Sequence, residues 1–390
     1  MENNQPTVRI AIACGGTGGH LFPGMAVAEQ LIHHGCAVTL LVSPKEVDQQ
    51  AVKTASGVQI ATLPAVGLVR GSRIAFVRGF GKSFRAARKH FTMEKPGAIV
   101  AMGGFTSAPP ILAGRLMGVP TFLHESNTIP GRANRWLSWM VNEAFIGFPE
   151  AAGRLHTRKT TVTGTPVRPQ FRPGETTACR VALGLDPEKP ALLVTGGSQG
   201  ASGLNDIVVA ALPLLAKLVP GLQLFHLTGP NDVAKVEQAC AALSMKAIVR
   251  PFFAEMSLAL DSASAAISRA GASSLAELAA MRVPSVLVPF PSATDNHQYH
   301  NALAFQKTGA ARLLEQKSAS PEVLAPLVAE LIAASVARDT MRKQLSQWHT
   351  PDAAEQIAAR IMEVVTGGNP AAGDVAPPAC NLQQRHSVTM

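Results

Sequence analysis

Apolar positions fall in short runs that alternate with longer stretches of helical period. Val8–Ala13, Ala37–Val42, Ala98–Ala101, Thr121–Leu123, Ala144–Ile146, Ala191–Thr195, Gln223–Leu227, Ala247–Val249, Ala265–Ile267 and Ser285–Val288 are β-branched or continuously apolar and read as strands. Between them, Gly24–His34, Ile111–Met117, Leu204–Lys217, Val233–Ala242 and Ser273–Met281 read as amphipathic helices. Strands with no polar alternation, separated by helices, predict parallel sheets covered on both faces.

The layout also restarts. "VRIAIACGGTGGH" and "ALLVTGGSQGASG" each give an apolar strand, a Gly-Gly turn and a helix. The restart predicts an α/β architecture of two Rossmann-like domains. They join near Thr163–Gly174, where Pro166, Pro169 and Pro173 break regular structure. The expected boundaries are 1–165 and 166–345, then a closing helix over 346–366 that packs back on the first domain. The Gly/Pro/Ala-rich, aperiodic remainder, 367–390, is expected to be disordered.

Composition narrows the class. A 390-residue chain that is 47% apolar and 16% charged suits two globular domains. The five cysteines are scattered and never form C-x-x-C, which fits a reducing compartment and no structural zinc. The N-terminus has no secretory pattern, and no apolar run approaches the roughly 20 residues that span a bilayer. The chain is therefore expected to be soluble or peripheral. Net charge is +9, but aromatics are only 5% and no nucleic-acid module is recognisable. Nucleic acid is therefore set aside; an anionic membrane surface or anionic substrates remain.

Three turns carry candidate chemistry. Gly15–Gly19 and Gly196–Gly200 follow strands and open helices, where backbone N–H groups and the helix dipole favour an anion. Neither is a dinucleotide fingerprint, since Leu21 takes the third glycine position of the first, and neither is a P-loop. An NAD-dependent dehydrogenase is accordingly disfavoured. In the third, "ISRAGASSLAEL", Gly271 turns the chain and a helix starts near Ala272. Glu277, in its second turn, is either a solvated helix residue or an acceptor for a ribose diol. His20 is either a helix-start histidine bonded to backbone or a cleft group whose titration near neutral pH suits proton transfer. His297 and His300 lack the carboxylate or cysteine partner a metal pair needs, so no metal site is expected.

A basic stretch, Gly67–Phe91, holds seven Lys/Arg and no acid. Arg78, Lys82, Arg85 and Lys89 form one helical stripe; Val77, Phe80, Phe84, Ala87 and Phe91 form another. The pair is either an anionic-lipid contact with apolar side chains dipping inward, or a core-facing stripe with a solvated basic face.

Read together, "GGTGGH", "GGF" (Gly103–Phe105), "HESN" (His124–Asn127), "GTPVR" (Gly164–Arg168), "GGSQGA" (Gly196–Ala201), "SRAGASSLAEL" (Ser268–Leu278) and "DNHQYHNA" (Asp295–Ala302) resemble the MurG family. The resemblance runs in order from about residue 8 to 365. It implies the GT-B fold and an inverting transfer of GlcNAc from UDP-GlcNAc to the 4-hydroxyl of MurNAc in lipid I, an undecaprenyl-linked acceptor, without a cofactor. Ser198 would bind the diphosphate, the backbone of Phe253 the uracil, and Ala272, Ser273, Ser274, Leu275, Ala276 and Glu277 the α-phosphate and ribose. Gln298 would contact the GlcNAc. Thr17, Gly18, Gly19 and Asn127 would reach the donor from the N-terminal domain, and Arg168 from the hinge. With no Asp-x-Asp motif, charge on the departing UDP would fall to helix and turn amides and Arg168. His20 is the first candidate base and Glu125 the second, though Glu125 could serve only to order the Asn127 loop; His124 reads as structural. Relatives often read "HEQN" and "GNPVR", where this chain has Ser126 and Thr165. The implied setting is the cytoplasmic face of the inner membrane, with an anionic surface and other cell-wall or division proteins as partners. The alternatives are another GT-B enzyme, such as a diacylglycerol glycosyltransferase or a UDP-GlcNAc 2-epimerase, or a non-catalytic cell-wall scaffold.

Overall fold

A computed structural model describes residues 8–16, 18–45, 48–49, 52, 55–64, 73–197, 200–333 and 336–367. Thr17, Ser198 and nearly all of the tail (368–390) lie outside the described residues. The first sheet contains β1 (Arg9–Ala13), β2 (Ala37–Val42), β3 (Gln59–Thr62), β4 (Ala98–Ala101), β5 (Thr121–Glu125), β6 (Glu143–Ile146) and β7 (Thr160–Val162), in the order β3-β2-β1-β4-β5-β6-β7. The second contains β8 (Ala191–Thr195), β9 (Gln223–Leu227), β10 (Ala247–Arg250), β11 (Ala265–Ser268), β12 (Ser285–Leu287) and β13 (Arg312–Leu313), in the order β10-β9-β8-β11-β12-β13. Every pairing between described strands is parallel.

The strand order reverses beside β1 in one sheet and β8 in the other. Such reversals leave a crevice at the carboxyl ends of the strands, where doubly wound folds bind ligands. The glycine turns after β1 and β8 and the Arg269–Gly271 turn after β11 all stand at these ends.

Three short edge strands, β3, β7 and β13, escape the hydrophobic pattern. Gln59, Ile60 and Thr62 of β3 are exposed, so no apolar run marks it. Strand β5 continues through His124 and Glu125, two residues beyond its apolar run, and both polar side chains are buried. Hydrogen bonds make that burial tolerable: His124 Nε2 meets the Gly164 carbonyl at 3.1 Å and its Nδ1 meets Ser126 Oγ at 3.2 Å. His124 is thus a structural histidine, and burial lowers its pKa to about 4.

One core fills the C-terminal domain, while two flank the N-terminal sheet. The Ala353–Val365 helix returns across the molecule and buries Ile357, Ala358 and Ile361 in the N-terminal core beside the Gly18–His33 helix. Arg360 Nε fastens it to the buried Glu143 carboxylate at 2.8 Å. Where the chain crosses back, Trp348 stacks on Phe305 with ring centroids 4.5 Å apart and tilts against Phe148 at 5.3 Å.

Candidate active site

The Gly18–His33 helix starts six residues before the apolar period of its sequence becomes visible, so His20 lies in its first turn. The His20 ring sits over the Gly103–Gly104 turn. A Cβ on Gly103 would meet the imidazole at 2.9 Å and one on Gly104 at 3.1 Å, and both glycines have positive φ. The "GGF" motif therefore provides a flat seat for the ring, which neither position could offer with a side chain. Burial lowers the His20 pKa to about 4, with Lys45 and His297 acting in the same direction and Asp48 opposing. The expected titration near neutral pH is thereby corrected: His20 is a neutral imidazole at pH 7.

The first glycine turn also differs from expectation. Its Gly16 N–H donates to Asp48 Oδ2 at 2.6 Å, and the same oxygen accepts the Ser43 N–H at 3.1 Å and the Ser43 hydroxyl at 2.5 Å. A buried protein carboxylate thus occupies the Gly16 amide that was read as part of an anion cradle. Asp48 has no sequence signal, because it reaches the turn from the segment after β2.

Pro23 lies inside the same helix and has no N–H to give to the carbonyl four residues earlier, that of Gly19. Gly19 O instead accepts the Ser273 hydroxyl at 3.0 Å. Ser273 belongs to the first turn of the Ala272–Met281 helix in the C-terminal domain. The two helix starts therefore meet across the cleft, one residue from His20. Within the second helix Leu275 faces the core, so it can offer a ligand only its backbone. Ser274 and Ala276 are half-buried.

Glu277 and Arg168 are the charged pair of the cleft. Burial raises the Glu277 carboxyl to about 7, and the positive charge of Arg168 opposes the rise. The Arg168 guanidinium lies 4.3 Å from the Phe22 ring centroid and 5.0 Å from that of Phe171, bridging the N-terminal helix and the linker. Its Nε is buried without a protein partner. Arg168 also borders a cleft of about 790 Å³ that runs between the Gly18–His33 helix and residues 254–258. Phe253 directly precedes the 254–258 wall in the chain, and its ring sits edge-on to Phe225 at 5.2 Å.

Glu125 does not fit the role of a base. Its Oε1 accepts the Asn127 N–H at 2.8 Å and Asn127 Nδ2 at 2.9 Å; its Oε2 accepts the Gly131 N–H at 3.0 Å and Asn134 Nδ2 at 2.8 Å. Four donors surround a carboxylate that is 1% exposed. It organises the Asn127 loop and leaves little room for a substrate hydroxyl.

Gln298 directs Oε1 to the Phe290 N–H at 2.9 Å and the Ala270 N–H at 3.3 Å, which leaves its amide hydrogens for other contacts. Beneath the same turn, Arg269 is buried, donates to the Val288 and Pro289 carbonyls and to Gln316, and is lowered by burial to about 10. Sequence reading passed over it because it lies between a strand and a glycine turn. Among the described residues no cluster of three or more His, Cys, Asp or Glu could hold a metal ion.

Comparison with known proteins fits this geometry. Residues 10–146 match the glycosyltransferase family 28 N-terminal domain and residues 191–357 the glycosyltransferase family 28 C-terminal domain. A protein of Anaeromyxobacter dehalogenans named UDP-N-acetylglucosamine--N-acetylmuramyl-(pentapeptide) pyrophosphoryl-undecaprenol N-acetylglucosamine transferase is 37% identical over 371 residues, covering 92% of this chain and 93% of its own. One of the same name from Xanthomonas campestris is 37% identical over 97% of this chain and 87% of its own. The crystal structure of Acinetobacter baumannii MurG superposes with a TM-score of 0.71 at 30% identity, over 92% of this chain and 100% of that one. A UDP-N-acetylglucosamine 2-epimerase with a TM-score of 0.70 but 11% identity shares the fold alone. Two parallel-sheet domains of the GT-B type, joined by a cleft built from the family's own motifs, make this chain a member of glycosyltransferase family 28 and, within it, of the MurG family.

Proposed function

We propose that the chain transfers GlcNAc from UDP-GlcNAc to the 4-hydroxyl of MurNAc in undecaprenyl-pyrophosphoryl-MurNAc-pentapeptide, with inversion at the anomeric carbon. The observation that carries the reading is the Ser273–Gly19 contact, which sets the start of the Ala272–Met281 helix beside the His20 turn. A donor diphosphate at that helix start faces free N–H groups and the positive end of the dipole. Ser198 supplies a further donor to the diphosphate, while the Gly197 and Gly200 N–H groups are spent within the turn on Thr195 Oγ1 and the Gly197 carbonyl; Thr17, Gly18 and Gly19 border it from the opposite domain. Glu277 accepts the ribose hydroxyls, the Phe253 backbone meets the uracil, and Gln298 offers its amide to the sugar.

The chemistry then follows from charge. As the glycosidic bond breaks, negative charge grows on UDP and meets amides already oriented in the cleft, together with Arg168. Its buried, unpartnered Nε is one donor awaiting such an oxygen. The neutral His20 imidazole takes the proton of the attacking hydroxyl or orients that hydroxyl; Asn127 borders the same space.

The acceptor's lipid tail calls for a peripheral seat on the cytoplasmic face of the membrane. Among the described residues no helix is long and apolar enough to cross a bilayer. In the Arg73–Met93 helix, Ala87 and Phe91 are fully buried and Phe80 and Phe84 pack on the core, so most of the apolar stripe faces inward rather than toward lipid. Its N-terminal end remains available: Ile74 is 67% and Val77 66% exposed, beside the exposed Arg78, Lys82, Arg85 and Lys89. A basic rim around a small apolar patch matches an anionic bilayer surface. Cell-wall or division proteins would meet the enzyme there.

Incubating the protein with radiolabelled UDP-GlcNAc and a lipid I analogue should give a labelled disaccharide-lipid. Hydrolysis to free GlcNAc alone, or transfer only to diacylglycerol, would overturn the assignment.

A further inference from the structure

A small polar cavity lies at the opposite end of the C-terminal sheet from the donor turns. It measures about 170 Å³ and is lined by Arg180, Arg282, Arg338 and Arg342, with Asp261 as the only acid on its wall. Ser264 and Pro284, also on the wall, directly precede β11 and β12, whereas the Arg269–Gly271 turn follows β11. Three separate segments thus deliver one sign of charge to one small space. Arg338 and Arg342 stand four residues apart on the Val336–Trp348 helix, a like-charge spacing that destabilises an isolated helix. An anion among the four guanidinium groups would turn that repulsion into attraction.

The charges are poorly compensated within the protein. Arg180 donates from Nε to the Ser262 carbonyl, from Nη1 to the Pro187 carbonyl and from Nη2 to Ser264 Oγ, each at 2.9 Å. All three acceptors are neutral, so they orient the guanidinium without cancelling its charge; Glu188 acts on it only through space. Arg338 pairs with Asp339, whose side chain is 67% exposed, a contact worth little at such exposure. The exposed side chains of Arg282 and Arg342 make no hydrogen bond or ion pair among the described residues. Asp261 spends Oδ2 on the Gly174 N–H at 3.0 Å and the Cys179 thiol at 3.4 Å rather than on an arginine. Arg282 ends the Ala272–Met281 helix, whose C-terminal dipole alone would repel an anion. The Arg282 and Val283 N–H groups cover the Ala279 and Leu278 carbonyls at 3.2 and 3.0 Å, which blunts that repulsion.

We propose that this cavity binds a free phosphate or diphosphate ion, held by Arg282 and Arg342 and flanked by Arg180 and Arg338. Planar guanidinium groups match phosphate oxygens bidentately and give up their hydration more readily than an ammonium does. Size selects the class of ligand. The space holds roughly six waters at about 30 Å³ each. That is well below the roughly 300 Å³ at which pockets begin to take drug-sized molecules, so a nucleotide does not fit. The site is independent of the donor, because it stands at the far end of the helix that starts at Ala272.

The test is calorimetry on the full-length protein saturated with UDP, titrated with inorganic phosphate and separately with pyrophosphate at constant ionic strength. One ion should bind per chain, and the tighter of the two names the ligand. Arg282→Gln combined with Arg342→Gln should weaken binding on the order of tenfold for each charge removed, since hydrogen bonds to charged groups are the strong ones. Lys343→Gln removes a charge on the same helix as Arg342 but outside the cavity, and should leave binding unchanged. Melting curves check folding, and the ion should raise the melting temperature of the unaltered protein but not that of the double variant. If the double variant does not fold, Arg342→Gln alone decides. Absence of binding, or equal binding by the double variant, would overturn the site. So would an equal loss in Lys343→Gln, which leaves only diffuse attraction to a basic surface. Binding seen only when UDP is absent would assign the ion to the donor turn instead.

Discussion

His20 and Glu277 are displaced from ordinary titration in opposite senses by the same cause, burial. For His20 a pKa of about 4 means the free imidazole can accept a proton throughout the neutral range. If it is the base, the acidic limb of kcat/KM should lie near pH 4 to 5, below the usual histidine range, and should vanish in His20→Asn. That variant should lose about 100- to 10,000-fold in kcat while keeping UDP affinity. A limb that persists in His20→Asn would assign the proton to another group; loss of UDP binding with normal kcat would make His20 part of the turn. Glu277, held up to about 7, is partly protonated in the free enzyme at neutral pH. Because a ribose diol prefers the carboxylate, donor binding should release a fraction of a proton near pH 7 and weaken as pH falls through 7. Calorimetry in buffers of differing ionisation enthalpy reads that fraction, and Glu277→Gln should abolish it. The same raised pKa makes the unliganded fold lose stability as pH rises from about 4.5 to 7, because the unfolded chain has already released the proton.

Individual elements show where periodicity is informative. Strands such as β4 and β8 are buried along their whole length, and continuous apolar runs reveal them with correct ends. The Gly18–His33 helix is misjudged at its start because Gly18, Gly19 and His20 carry no apolar period. The motifs mark part of the cleft, since the positive φ of Gly103 and Gly104 leaves a trace in residue type. Asp48 leaves none: Gly16 lies 32 residues away and only the fold brings the two together. The Arg73–Met93 helix teaches a related lesson, because an apolar stripe reads alike whether a core or a lipid covers it. Its exposed basic face yields a test. Replacing Arg78, Lys82, Arg85 and Lys89 with Gln should release the protein from vesicles rich in anionic lipid, at about 1 kcal/mol per charge. Turnover of a water-soluble acceptor should be unaffected. Unchanged vesicle binding would return the face to simple solvation.

Across the whole molecule, described contacts that bridge the domains gather near the cleft: Ser273 on Gly19, Asn301 on Asn127 and Thr128, and Arg132 and Arg135 on Asp295. The Arg–Asp pairs are exposed and contribute little, on the order of 0 to 1 kcal/mol each. The closed arrangement therefore leans on the buried Asn301 bonds, on the Phe148–Phe305–Trp348 packing and on the more exposed Ser273–Gly19 bond. Of these the Gly19 carbonyl is unusual, for with proline at position 23 it has no helical N–H partner four residues on and accepts Ser273 without competition. A residue with an N–H at that position would let the helix satisfy itself. Pro23→Ala should accordingly make the protein more heat-stable, on the order of 1 to 3 kcal/mol, and slower, with a larger radius of gyration in small-angle scattering when the donor is bound. A variant that gains stability and keeps full kcat and compactness would show that the contact is incidental. On that prediction, a helix left short of one internal bond keeps an acceptor for the other domain, and selection for thermal robustness alone would tend to restore the bond at the expense of turnover.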